Sequence, residues 1–123
     1  MLPRSMRTKS FVLTVLLLSV IPIASVADGT QAADSIERGR ELAFDRRKGN
    51  CLACHAIDGG DLAGNYGPPL LLMKSRFPDR DVLRAQIWDA SVRLPSTRMP
   101  PYGRHRILTE DEIDLVVDFI LSL

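Results

Sequence analysis

Cys51-Leu52-Ala53-Cys54-His55 concentrates the reactive side chains of this chain: its only two cysteines stand three positions apart, and a histidine follows at once. A thiol pair at that spacing can hold a haem, work as a thioredoxin-type redox pair, supply part of a zinc site, or close a small disulfide. A redox pair of that type heads a helix within βαβ units, and no alternating strand pattern is present. Zinc needs further ligands at close spacing, and His105 is the only other histidine. A disulfide across two residues closes too small a loop to stabilise much. The histidine tips the balance, because C-x-x-C-H is the attachment signature of a c-type haem. Two cysteines within one turn of helix present both sulfurs on one face, where they can form thioethers with the two vinyl groups of a porphyrin. His55 is then held beneath the iron as proximal ligand.

A proximal histidine needs its second ring nitrogen satisfied, since that sets its tautomer and ligand strength. Gly67-Pro68-Pro69-Leu70 is similar to the Gly-Pro-x-Leu segment of class I cytochromes c. That resemblance implies that the Pro68 carbonyl accepts from the His55 Nδ1–H and that Leu70 packs on the haem edge. Taken alone, the segment also reads as an ordinary double-proline turn. The sixth iron position then separates electron transfer from ligand binding. Met73, Met99, His105, Lys48 and Lys74 are the candidates. Met73 follows Leu70-Leu71-Leu72 and reads as core filler. His105, between Arg104 and Arg106, reads as solvent-facing or loop-bracing. Met99 lies in Thr97-Arg98-Met99-Pro100-Pro101-Tyr102-Gly103, where two prolines leave a thioether little freedom to lose. His/Met ligation suits a c-type electron carrier, so Met99 is the expected ligand. Trp88, Tyr66 and Tyr102 are candidates for haem packing or for hydrogen bonds to its propionates, with plain core packing the alternative for each.

A short chain must position these groups. Its 123 residues allow one domain. With 16 Lys+Arg against 15 Asp+Glu there is no concentrated basic face, so nucleic acid is not an expected partner. The hydrophobicity is uneven. Arg4, Arg7 and Lys9 precede an apolar run from Phe11 to Ala24, no acid occurs before residue 28, and Ser25-Val26-Ala27 supplies small residues at an exit. This is the pattern of a secretory signal peptide over 1–27, cleaved after Ala27. The run is short for a spanning helix and contains Pro22, so no stable membrane anchor is expected, and no cysteine at the cut signals lipid attachment. The working domain is then 28–123. It keeps 13 basic against 15 acidic residues, 11 of the basic ones arginine. The setting is the periplasm, where c-type haem is attached. Aromatic content of 6% is thin for a core, and a porphyrin would complete it.

The elements read as all-α. Asp34-Ser35-Ile36-Glu37 resembles a capping box opening a first helix that leaves at Lys48-Gly49-Asn50. A second helix starts near Asp79 and runs to Leu94-Pro95. Thr109 and Glu112 cap a last helix, with Ile113, Val116, Val117, Ile120 and Leu121 on one stripe. About half the domain is Gly/Pro-rich loop, more than helix packing alone can organise. The expected fold is the class I cytochrome c fold, three to four helices wrapped around one covalent haem c, with an apolar cavity beside Cys51, Cys54, His55 and Met99.

From Gly39 to the C-terminus the chain resembles the SoxX family, the small monohaem subunits of SoxAX sulfur-oxidation complexes. The resemblance is carried by Phe44-Asp45-Arg46, Gly49-Asn50-Cys51-Leu52-Ala53-Cys54-His55, Gly67-Pro68-Pro69-Leu70, Arg76-Phe77-Pro78-Asp79-Arg80, Leu83-Arg84-Ala85-Gln86-Ile87-Trp88-Asp89 and Met99-Pro100-Pro101-Tyr102-Gly103-Arg104-His105-Arg106-Ile107-Leu108-Thr109. It implies a partner, a SoxA-like monohaem or dihaem cytochrome. That partner would carry the L-cysteine S-thiosulfotransferase chemistry, joining thiosulfate oxidatively to a cysteine of a SoxYZ-like carrier. This chain would take the released electrons and pass them to a small soluble cytochrome c. It offers no catalytic residue of its own, since both cysteines are committed to haem. Two other readings of the residues stand beside this one: a free-standing periplasmic electron shuttle, and a haem sensor or peroxidase-like protein with an exchangeable distal site.

Overall fold

The computed structural model describes residues 27–123, with side chains from residue 29 onward. The expected export segment therefore lies outside the described residues, apart from Ala27 itself. The chain runs as α1 (Ala27–Phe44), a 3-10 turn over Cys51–Ala53, α2 (Met73–Arg76), α3 (Arg80–Trp88), a 3-10 turn over Ala90–Val92, and α4 (Glu110–Leu121). No strand occurs among the described residues. The architecture is all-α, as the sequence leads one to expect.

Side-chain caps start α3 and α4, whereas the one-turn α2 follows Leu72, which offers none. Thr109 Oγ1 accepts from the Glu112 N–H at 3.2 Å, and Glu112 Oε2 accepts from the Thr109 N–H at 2.9 Å. Glu110 and Asp111 add acids where the helix dipole favours them. Asp79 caps α3 by accepting from the Asp81 N–H at 2.9 Å. Three boundaries correct the sequence reading, the simplest being that α1 ends at Phe44 and residues 46–49 form turns, short of the expected exit at Lys48-Gly49-Asn50. The Asp34–Glu37 capping box does not form: α1 starts at Ala27, so both residues lie within the helix, and Ser35 Oγ donates back to the Ala32 carbonyl at 2.9 Å. Gln31-Ala32-Ala33 favours helix strongly enough to carry it back past a pair that would cap only after a loop. In turn, α3 ends at Trp88 rather than at Leu94-Pro95. Asp89 turns extended and its carboxylate accepts from the Ser91 N–H at 3.0 Å, which starts a separate turn.

The main packing contact is α1 against α4. Gly39 permits it, because a Cβ there would lie 2.0 Å from the Leu115 carbonyl oxygen. Phe44 meets Phe119 edge to face with centroids 5.8 Å apart. The inner face of α4 buries Ile113, Val116, Val117, Phe119 and Ile120 against Ala43, Leu83 and Ile87. Charge ties α3 to α4: Arg80 reaches Asp114 at 3.0 Å and Asp118 at 2.9 Å, and Arg84 reaches Asp114 at 2.9 Å and Glu110 at 3.1 Å. Lys48, just before the cysteine turn, pairs with Glu112 of α4 at 2.7 Å.

Partial burial works against the charged form of Asp114, but its hydrogen bonds from Arg84 and Arg80 outweigh this and hold the carboxyl below its ordinary 3.8. The Lys48 hydrogen bond likewise holds Glu112 below its ordinary 4.5. Folded-state values depressed in this way contribute stability that is complete above the unfolded values and lost as pH falls through the acid range. Asp114→Asn is therefore expected to lower the Tm at neutral pH and to flatten its decline between roughly pH 5 and 2. A decline as steep as the wild type's would show that the network contributes nothing. Gly39→Ala forces the α1–α4 crossing apart and is expected to cost about 1–3 kcal/mol, read from denaturant unfolding.

Candidate functional site

The cysteine segment is shaped by its backbone. Asn50 sits in the left-handed region at φ 48°, and the turn that follows is the tighter 3-10 form. Cys54 N–H and His55 N–H both donate to the Cys51 carbonyl, at 3.2 and 2.9 Å. The two sulfurs are not bonded to each other. Burial pushes the Cys51 thiol up to about 11, opposite to the lowered value of a redox-active thiol pair. Among the described residues, no cluster of three or more His, Cys, Asp or Glu could hold a metal ion by itself.

Residues 64–70 fold back over this turn. Gly64 N–H donates to Leu52 at 2.7 Å, Gly67 N–H to Cys54 at 2.8 Å and Leu70 N–H to Ala56 at 2.9 Å. The strap brings the Pro68 carbonyl 2.6 Å from His55 Nδ1. A carbonyl can only accept, so Nδ1 carries the proton and Nε2 keeps its lone pair for a metal. Gly67 is required beside it: a Cβ would lie 2.4 Å from His55 Cε1 and 2.7 Å from Nδ1. Arg76 of α2 braces the strap from outside, donating to the Pro69 carbonyl at 2.9 Å and to Met73 Sδ at 3.3 Å.

Cys51, Cys54, His55, Pro68, Leu70 and Met99 all line one cavity of about 690 Å³, within the size range of cofactor pockets. Its apolar wall includes Met73, Phe77, Leu83, Ile87, Val116 and Ile120. The Met99 loop is pinned at three points. Thr97 Oγ1 accepts from the Met99 N–H at 3.1 Å. The Tyr102 hydroxyl donates to the Gly49 carbonyl, two residues before Cys51. Gly103 N–H donates to the Trp88 carbonyl at 3.1 Å, and its bare Cα rests on the Trp88 indole, where a Cβ would come within 2.1 Å.

The five candidates for the sixth position separate cleanly. Lys48 is ion-paired with Glu112, while Lys74 and His105 are exposed and outside the cavity lining. Met73 and Met99 remain; Met73 is 2% exposed and packed as core filler, with its sulfur already accepting from Arg76. Tyr66 and Tyr102 line the cavity, whereas Trp88 does not and instead supports the loop through Gly103. The sequence assigned no role to Arg76, Gln86, Arg93 or Arg98, all of which line the cavity. Their spacing follows no period, and only the fold gathers them.

An all-α chain with two thiols, an imidazole of fixed tautomer and a loop-held thioether around one apolar cavity is built to hold a porphyrin. The cytochrome c family model matches residues 36–123, and the chain belongs to that family. It is also similar to an uncharacterized lipoprotein of Aquifex aeolicus (strain VF5), at 33% identity over 75 residues, covering 60% of this chain and 36% of that protein. The chain thus spans little more than a third of the length of the curated relative it matches. The cofactor is a covalently bound haem c, and the donor set and cavity fit it. Gly67→Ala is expected to displace the His55 ring, so that haem uptake falls or the low-spin absorption spectrum is lost. An unchanged holoprotein spectrum would show that the ring does not depend on this close approach.

Proposed function

We propose that this chain is a monohaem electron-transfer cytochrome c in which Cys51 and Cys54 hold the haem, His55 and Met99 ligate its iron, and the protein serves as the small subunit of a SoxAX-like complex. The observation that carries the electron-transfer reading is the shared cavity of His55 and a Met99 loop anchored to Thr97, Gly49 and Trp88. The haem supplies a one-electron couple. Pro68 orients His55, and the neutral Met99 thioether favours the ferrous state and raises the potential. A pinned protein ligand keeps small molecules off the metal, which disfavours a sensor or peroxidase role. The apolar wall excludes water, so little rearranges when the charge changes.

The placement in a SoxAX-like assembly rests on the residue matches from Gly39 onward, on an arginine-rich mixed-charge surface suited to a lasting interface, and on both cysteines being committed to haem. In this reading a SoxA-like subunit joins thiosulfate to a SoxYZ-like carrier, and a small soluble cytochrome c receives the electrons. Residues 1–27 export the chain to the periplasm. The relative named as a lipoprotein supports export, and among the described residues no helix is long and apolar enough to cross a membrane.

Met99→Ala is expected to abolish the sulfur-to-iron charge-transfer band and open ferrous haem to carbon monoxide. Ready binding of carbon monoxide by the wild type would overturn the ligand assignment. Native purification is expected to recover the chain with a second c-type cytochrome; recovery only as a monomer would favour a free-standing shuttle.

A further inference from the structure

The haem cavity is charged on one side of the ledger only: Arg76, Arg93 and Arg98 line it, and no Asp or Glu does. Elsewhere Arg40, Arg47, Arg80, Arg84 and Arg104 pair with carboxylates, whereas Arg38, Arg46 and Arg106, which do not line the cavity, have no such partner among the described residues. Arg80 and Arg84 bind Asp114, Asp118 and Glu110, Arg104 binds Asp89 at 3.1 Å, and Arg40 binds Glu37 at 3.4 Å. None of the three cavity arginines has a carboxylate partner among the described residues. Arg76 is spent on neutral acceptors, the Pro69 carbonyl and the Met73 sulfur. Arg93 reaches only Gln86 Oε1, at 3.5 Å, and lies 5.9 Å over the Phe77 ring. The Arg98 guanidinium makes no hydrogen bond or ion pair among the described residues. Ser96, between Arg93 and Arg98 in the sequence, also lines the cavity, and residues 90–109 contain no acid.

Unpaired guanidinium groups at an apolar cavity call for an anion, and their planar fork matches a carboxylate. Once its vinyl groups are consumed by thioethers, haem c retains two propionate carboxylates as its ionisable substituents. We propose that Arg93 and Arg98, with Ser96 between them, form the carboxylate-binding site of this cavity and receive the haem propionates. Both arginines are solvent-exposed as residues while lining the cavity, so they stand at its mouth. Neutralising the carboxylates there removes negative charge that would favour ferric iron, and the site therefore holds the reduction potential up. This inference rests on the haem assignment and is independent of any partner.

The test uses purified holoprotein carrying Arg93→Gln, Arg98→Gln and both together, with Arg106→Gln as control. Arg106 is exposed in the same acid-free segment but does not line the cavity. Potentials come from spectroelectrochemical titration, and carboxylate contacts from the propionate-bending modes in resonance Raman spectra. The double variant is expected to shift those modes and lower the ferrous-to-ferric ratio at fixed potential at least tenfold, which is 59 mV for one electron. The sulfur-to-iron band should persist, showing that Met99 ligation has not changed. Arg106→Gln should alter neither readout. If the double variant does not take up haem, Arg93→Lys and Arg98→Lys carry the test: they retain the charge, so the potential should hold while the bending modes shift. Unshifted modes in the Gln and Lys variants, or an equal drop in potential from Arg106→Gln, would overturn the proposal.

Discussion

The hydrogen bond from His55 Nδ1–H to the Pro68 carbonyl is the constraint around which the described structure is arranged. It fixes which nitrogen of the ring is free, and it can form only if the chain after Cys54 turns back on itself. The backbone contacts from Gly64, Gly67 and Leu70 to the cysteine segment make that return. Gly67 leaves room for the ring. Arg76 braces the next carbonyl, at Pro69, so that α2 supports the proximal side although it never touches the ring through an assigned bond.

The Met99 loop poses a different problem, because it lines the cavity with no sheet or long helix of its own to hold it. Prolines at 100 and 101 stiffen the loop, but they cannot say where it points. Two tertiary contacts do: Tyr102 reaches back to Gly49, tying the loop to the approach of the cysteine turn, and Gly103 packs closely against Trp88. The buried face of α4 closes the floor with Val116 and Ile120. What is a thin apolar core for the polypeptide alone lines a cavity of cofactor size, and a bound haem c would complete that core.

The sequence was most legible where a local pattern answers a local question. The Thr109–Glu112 capping box and the helix start near Asp79 occur as read, and so does the inner stripe of α4 except that Phe119 is buried and Leu121 only half-buried, since each depends mainly on residues within two turns. It was least legible where neighbours intervene. The Asp34–Glu37 pair has the form of a capping box yet lies inside α1, because helix-favouring residues before it continue the helix. The end of α3 at Trp88 depends on Asp89 finding Ser91 rather than on the Leu94-Pro95 stop. Trp88, a candidate for packing on the cofactor with plain core packing as the alternative, does not line the cavity and instead supports the Met99 loop through Gly103.

By itself the sequence determined the attachment chemistry, because C-x-x-C-H depends only on residue type and short spacing; the Pro68 acceptor was implied by the resemblance of Gly67-Pro68-Pro69-Leu70 to the class I segment, and the fold supplies the contact. Only the tertiary structure decided which methionine faces the cavity from an anchored loop, which lysines are taken by ion pairs, and which arginines are left without a carboxylate. Those outcomes are set by contacts between residues far apart in the chain, such as Tyr102 with Gly49 and Lys48 with Glu112, and no periodicity encodes them.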